Sequence, residues 1–214
     1  MAVYAQNGEW ECIRDTQTAL YLRSRDGWLH AVAAFDTDEA RDILTQVPQD
    51  KLLILRGCPG LSTLAEVLGF NGCNPCYQAV YNKKTPIPIH TELTIRHPDA
   101  ADFSKVQASY SLADDEELQA DFAREDFLGG YLNGELVGYI GVHGEGSMGL
   151  LHVFPQYRRR GYAEALYGTL INHQLRKGRL PFAQIVEHNE ASLALQRKLG
   201  FMLSKERLYW LWRE

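Results

Sequence analysis

The 214-residue sequence predicts an α/β fold of the α+β kind, with a mixed sheet flanked by helices (residues 89–214) preceded by a smaller α/β domain (residues 1–88). Three observations predict it. Short apolar runs alternate with amphipathic helical stretches along the whole chain. One segment interrupts the series: Lys83-Lys84-Thr85-Pro86-Ile87-Pro88 has two prolines in three positions, which suits neither a helix nor a central strand and reads as a linker. The balance of 45% hydrophobic and 23% charged residues is that of an ordinary globular protein.

In the first part, apolar runs at Ala19 to Leu22, Trp28 to Phe35, Leu52 to Leu55 and Tyr77 to Tyr81 read as strands. Helices are expected at Thr37 to Val47, capped by Asp36 or Thr37, and at Ser62 to Leu68, stopped by Gly69. In the second part, a strand at Thr91 to Arg96 precedes helical stretches at Asp102 to Ser109 and Asp115 to Arg124. Phe127 to Leu132 and Glu135 to His143 flank Asn133-Gly134, the strongest short hairpin signal. A strand at Gly149 to Phe154, a helix at Gly161 to Lys177, a strand at Phe182 to Glu187, a helix at Glu190 to Leu199 and a last strand ending in Leu208 to Trp212 complete it. Leu68-Gly69-Phe70 and Leu199-Gly200-Phe201 each end a helix before a strand. That echo fits either an internal duplication or simply a common helix end.

Charge and composition exclude several functions. With 22 Lys plus Arg against 27 Asp plus Glu, the net charge of −5 offers no global basic field for a nucleic acid. The sequence lacks a run of about 18 apolar residues, and Met1 to Asn7 lacks a basic segment followed by an apolar one, so neither a membrane span nor a signal peptide is expected and the location reads as cytoplasmic. Cys12, Cys58, Cys73 and Cys76 are expected to be reduced. Cys73-Asn74-Pro75-Cys76 has a CxxC spacing, but no second pair or histidine pair accompanies it; it reads as a plain turn, and no metal is expected.

The stretch with chemical content is Leu151-His152-Val153-Phe154-Pro155-Gln156-Tyr157-Arg158-Arg159-Arg160-Gly161-Tyr162-Ala163. A strand runs through a turn into a helix. The start of that helix presents unpaired N–H groups and the positive end of a dipole, small residues leave room for a ligand, and three arginines add charge. Pyrophosphate binding and a solvated basic turn are both compatible with these residues. Arg158-x-x-Gly161-x-Ala163 after a strand and Pro155 resembles the R/Q-x-x-G-x-G/A acyl-CoA signature of the GNAT superfamily of N-acyltransferases. Asn189-Glu190-Ala191-Ser192 through Gly200-Phe201 resembles the second conserved block of the same superfamily, and Gly178 to Phe182 with Val186 to Asn189 is most similar to its glycine N-acyltransferase-like branch.

The resemblance implies a mostly antiparallel GNAT-type sheet over residues 89–214 and acetyl-CoA as co-substrate. It implies that Leu151, His152 and Val153 pair with the pantetheine arm, with the amide at or beside Val153 facing the thioester carbonyl. Arg158, Arg159, Arg160, Gly161, Tyr162 and Ala163 would cradle the pyrophosphate, and Asn189 and Ser192 would face the cofactor. The expected reaction is transfer of an acetyl group to the amine of a small molecule or amino acid by direct attack in a ternary complex. The alternative is an acyl-CoA-binding sensor without turnover.

A general base must border the cofactor, and Glu187 and His143 lead, ahead of Glu145, His152 and His188. Where many members of the superfamily carry a tyrosine this chain has Gln196, which has no titratable proton to deliver, so Tyr162, Tyr139 or Tyr209 would have to serve if an acid is needed. The acids Asp114-Asp115-Glu116-Glu117, Asp121, Glu125 and Asp126 read as a solvated helix face or as an attraction for a cationic amine. The expected partner is a small-molecule amine, bound to a monomer or homodimer, with no nucleic acid and no membrane.

Overall fold

The computed structural model describes residues 10–48, 50–110 and 115–213, so Met1 to Asn7 and Asp114 lie outside the described residues. It forms two compact units. The first comprises Met1–Gln78, Ile185–Glu190 and Leu203–Glu214, and the second Ala79–Gln184 and Ala191–Met202.

Most strands of a seven-stranded sheet belong to the first unit. The strands of this sheet are β1 (Trp10–Asp15), β2 (Ala19–Ser24), β3 (Leu29–Ala34), β4 (Leu52–Gly57), β5 (Gly72–Val80), β10 (Phe182–Val186) and β11 (Met202–Trp212), in the order β1-β2-β3-β4-β11-β5-β10. Strand β3 is buried along its whole length and pairs parallel to β4 through helix α1 (Thr37–Gln46), as its continuous apolar run requires. Helix α1 begins where the Asp36 side chain accepts from the Glu39 N–H at 2.9 Å, and it buries Ala40, Ile43 and Leu44 at helical spacing. Helix α2 (Leu61–Val67) covers the same core. Strand β11 joins this sheet antiparallel to β4, with Tyr209, Trp210 and Leu211 opposite Leu55, Ile54 and Leu53.

The second unit carries a four-stranded antiparallel sheet, β6 (Thr94–Arg96), β7 (Leu128–Leu132), β8 (Glu135–Val142) and β9 (Met148–Val153). Its helices are α3 (Phe103–Ser109), α4 (Asp115–Phe122), α5 (Tyr162–Arg176) and α6 (Glu190–Leu199). Asn133 (φ 51°) and Gly134 (φ 84°) turn the expected hairpin through two left-handed residues. The mixed and mostly antiparallel architecture is the one anticipated.

Two expectations are corrected, and one strand was not anticipated. The units part at Gln78 and Ala79 rather than near 88, because the proline segment is held in the second unit. The Asn172 amide accepts from the Ile87 N–H and donates to the Ile87 carbonyl, each at 2.8 Å, and the Tyr81 hydroxyl donates to the Thr85 carbonyl at 2.8 Å. Cys73 and Cys76 lie inside β5, not in a turn. Three positions apart on a strand they face opposite sides, Cys73 exposed and Cys76 buried, so they cannot close on one metal or on each other. Burial also pushes the Cys76 thiol up to about 12, far from the reactive thiolate. Finally, β1 is an edge strand with mostly exposed side chains and so shows no apolar alternation to read.

The element order β-β-β-α-β-α-β occurs twice, as β1 to β5 with α1 and α2 and as β7 to β11 with α5 and α6. In each series the second helix ends in Leu-Gly-Phe with a left-handed glycine, Gly69 (φ 92°) or Gly200 (φ 85°).

Candidate active site

The site grows from a defect in β9. Tyr139 pairs with His152 and Gly141 with Gly149, so Leu150 and Leu151 together oppose the single residue Ile140. This is a β-bulge, and Leu150 takes the left-handed conformation at φ 55°, rare for a branched side chain and held here by burial. A bulge bends its strand and re-aims the residues that follow it. Leu151, His152 and Val153 accordingly face a cavity of about 720 Å³.

Beyond Val153 the chain turns twice through left-handed backbone, at Arg159 (φ 66°) and Gly161 (φ 79°), before α5 starts. An added Cβ on Gly161 would meet nothing within 4 Å, so it is the dihedral angle rather than space that calls for glycine. Alternating backbone of this kind gathers successive N–H groups into an anion-binding concavity, and the α5 N-terminus adds its own. The Arg158 Nε donates to the Val153 carbonyl at 2.9 Å, tying turn to strand.

The cavity is lined by Leu151, His152, Val153, Tyr157, Arg158, Arg159, Gly161, Tyr162, Ala163 and Glu164. Its far wall is one face of α6, Ala191, Ala194, Leu195 and Lys198. That face was legible as i, i+3, i+4, i+7 spacing with small residues, and the sequence reading passed over it. Glu164 and Lys198 pair at 2.5 Å. Arg160, which stands 5.9 Å over the Tyr157 ring, and Ser192 are not among the lining residues. Asn189 closes the turn after β10, its N–H bonded to the Val186 carbonyl at 2.9 Å, and belongs to the first unit.

His152 stacks on Tyr139, with ring centroids 5.5 Å apart, and burial followed by the nearby Arg158 charge pushes its imidazole toward the neutral form. Of the three tyrosines considered as acids, Tyr162 alone lines the cavity, and its hydroxyl donates to Glu92 Oε1 at 2.5 Å. Gln196 is fully buried, with its amide beside the Tyr167 hydroxyl.

The two leading base candidates have different surroundings. Glu187 Oε1 accepts from Arg207 at Nε (2.9 Å) and Nη2 (2.5 Å), and that guanidinium lies 3.6 Å over Tyr77. His143 follows β8 and packs on β9 just before the bulge: a Cβ on Gly149 would stand 2.3 Å from His143 Nε2, so only glycine admits the ring. On its other side Nδ1 stands 3.7 Å from Asp121 Oδ2. Asp121 shares the buried face of α4 with Leu118 and Phe122, its side chain is 3% exposed, and burial pushes it up to about 6 against the opposing pull of His143 and Arg124.

The sequence matches the family model of the GNAT acetyltransferases over residues 93–201, half of the chain. The chain belongs to the GNAT acetyltransferase family. The family's reaction is acyl transfer from acyl-CoA, and the bulged strand, the turn and the α5 and α6 faces all lie within or beside the matched residues. Solved structures share this GNAT fold. A Drosophila protein is 21% identical, with a TM-score of 0.65 over 90% of this chain and 79% of that one. A GCN5-related N-acetyltransferase from Sphaerobacter thermophilus is 17% identical, with a TM-score of 0.57 over 93% and 81%. A tandem GNAT protein from the clavulanic acid biosynthesis pathway is 15% identical, with a TM-score of 0.52 over 91% and 78%. No curated protein sequence matches the chain significantly. Among the described residues no helix is long and apolar enough to cross a membrane.

Proposed function

We propose that the protein is an acetyl-CoA-dependent N-acyltransferase that acylates the amine of a small molecule by direct attack in a ternary complex. The observation that carries this reading is the continuity of one cavity from the bulge at Leu150 and Leu151 to the left-handed turn at Arg159 and Gly161. In this assignment the Leu151 to Val153 backbone binds the pantetheine arm and polarises the thioester carbonyl. Arg158, Arg159 and the N–H groups at Gly161 to Ala163 take the pyrophosphate.

Aminolysis forms a C–N bond, breaks a C–S bond and moves one proton from nitrogen. We assign that proton to His143, whose Nε2 faces the strand beside the bulge while Asp121 stabilises the imidazolium that results. The proton then passes to the leaving thiolate or to solvent, so the products are an amide and a thiol. Glu187, already engaged by a guanidinium, serves as structure in this reading.

The first 88 residues fit a degenerate copy of the second part, with the cofactor site lost. Where the second copy has the arginine turn before α5, the first has only Phe35 and Asp36 before α1, and the Asp36 carboxylate with Asp38 and Glu39 already occupies the helix N-terminus.

Thermal shift with acetyl-CoA tests the site. The wild type is expected to gain about 3 kcal/mol at a hundredfold excess over Kd. Ala163→Glu puts bulk and negative charge in the first turn of α5 without the left-handed strain that Gly161→Glu would add, and it is expected to abolish the gain. An undiminished shift in Ala163→Glu overturns the assignment. If acetyl-CoA binds and no amine from a broad panel accelerates thiol release, the sensor reading takes its place.

A further inference from the structure

We infer that Glu164 is an internal competitor for the phosphates of acyl-CoA and that Lys198 holds it off, so that the pair regulates how tightly the cavity takes its cofactor. This rests on the acyl-CoA site proposed above and names a regulating contact within it. Glu164 is the single carboxylate among the residues that line the cavity, and Lys198 is the single cation on the α6 wall. The two meet at 2.5 Å, joining α5 to α6.

The place of Glu164 in its helix makes it a competitor. Gly161 is the N-cap of α5 and offers no side chain to the helix start, so the N–H groups of Tyr162, Ala163 and Glu164 find no acceptor within the helix. A glutamate at the third helical position has the length to reach back and accept from that helix start, as in a capping box, and the helix dipole favours its charge there. A carboxylate folded back in this way occupies the ground that a pyrophosphate needs. In the structure it is turned aside to the Lys198 ammonium instead.

The pair is built to yield. Lys198 is 65% exposed and Glu164 40%, and an ion pair so open to water is weak and exchanges readily. The other charges of the lining are Arg158, tied to the Val153 carbonyl, and Arg159. With Glu164 neutralised by Lys198, the charge of both arginines stays uncompensated and available to an anion. Without Lys198, the carboxylate is free to return to the helix start and to offset one of them.

The test is a double-mutant cycle in the Kd for acetyl-CoA, measured by isothermal titration calorimetry at fixed salt for the wild type, Glu164→Ala, Lys198→Ala and the two together. Glu164→Ala is expected to bind about threefold more tightly and Lys198→Ala about threefold more weakly, the scale of one exposed ion pair. The double variant is expected to bind as tightly as Glu164→Ala, because without the carboxylate the lysine has nothing to hold off. A Lys198→Ala loss that persists at full size in the Glu164→Ala background overturns the proposal, since Lys198 then binds a phosphate directly. Affinity that is unchanged or weaker in Glu164→Ala overturns it as well, and in either case wild-type binding leaves the acyl-CoA site standing. A wild type that does not bind acetyl-CoA refutes that site itself, and this proposal with it.

Discussion

Replacing Asp121 with asparagine isolates the least comfortable charge in the second unit. The fold holds this carboxyl at about 6 instead of 3.8, chiefly through burial, so the folded state binds its proton more tightly than the unfolded chain does. Between pH 4 and 6 the folded protein therefore carries more protons at this site, and stability falls as pH rises. The displacement corresponds to roughly 3 kcal/mol, absent below the unfolded value and fully imposed above about pH 6. Asp121→Asn cannot ionise, so its stability relative to wild type is expected to improve by about 3 kcal/mol from pH 4 to pH 7, measured by urea denaturation across that range. At the same time kcat is expected to fall, because His143 loses the carboxylate that stabilises its imidazolium. A stability difference that stays flat with pH refutes the argument, since the carboxyl would then titrate at its ordinary value in the folded protein.

Two further outcomes follow from the same geometry. His143→Gln is expected to lower kcat by about 10²- to 10⁴-fold with the acetyl-CoA thermal shift intact, whereas Glu187→Gln is expected to change kcat little; steady-state rates of thiol release compare them, and the reverse ranking would return the base to Glu187. Asn172→Ala removes both hydrogen bonds to Ile87 and is expected to cost about 1–3 kcal/mol in urea denaturation, with faster proteolysis of the proline segment.

Much of this protein was readable because local chemistry and tertiary demand agree. The Asn133-Gly134 turn, the Asp36 cap and the apolar face of α5 specify their elements without help from distant residues. The Arg158 to Ala163 motif was legible through its resemblance to a family signature, since by themselves a few small and basic residues before a helix suit a solvated turn equally well. What stayed hidden depends on partners far along the chain. Cys73 to Cys76 carry turn-forming residues, yet Pro75 sits in a strand and its carbonyl accepts from the Glu187 N–H at 2.9 Å, more than a hundred residues away. The Lys83 to Pro88 segment has the composition of a free linker and is instead fastened by Asn172 on α5 and by the Tyr81 hydroxyl.

The candidate site divides along the same line. Periodicity and turn chemistry are properties of neighbouring residues, and they were enough to specify most of the elements, though not β1 or the first half of β5. The pairing of His143 with Asp121, the engagement of Glu187 by Arg207 and the bulge at Leu150 arise from register and burial, which no local pattern encodes. Two base candidates that looked alike in one dimension thus acquired different surroundings in three, one beside the bulged strand and the other locked to a guanidinium.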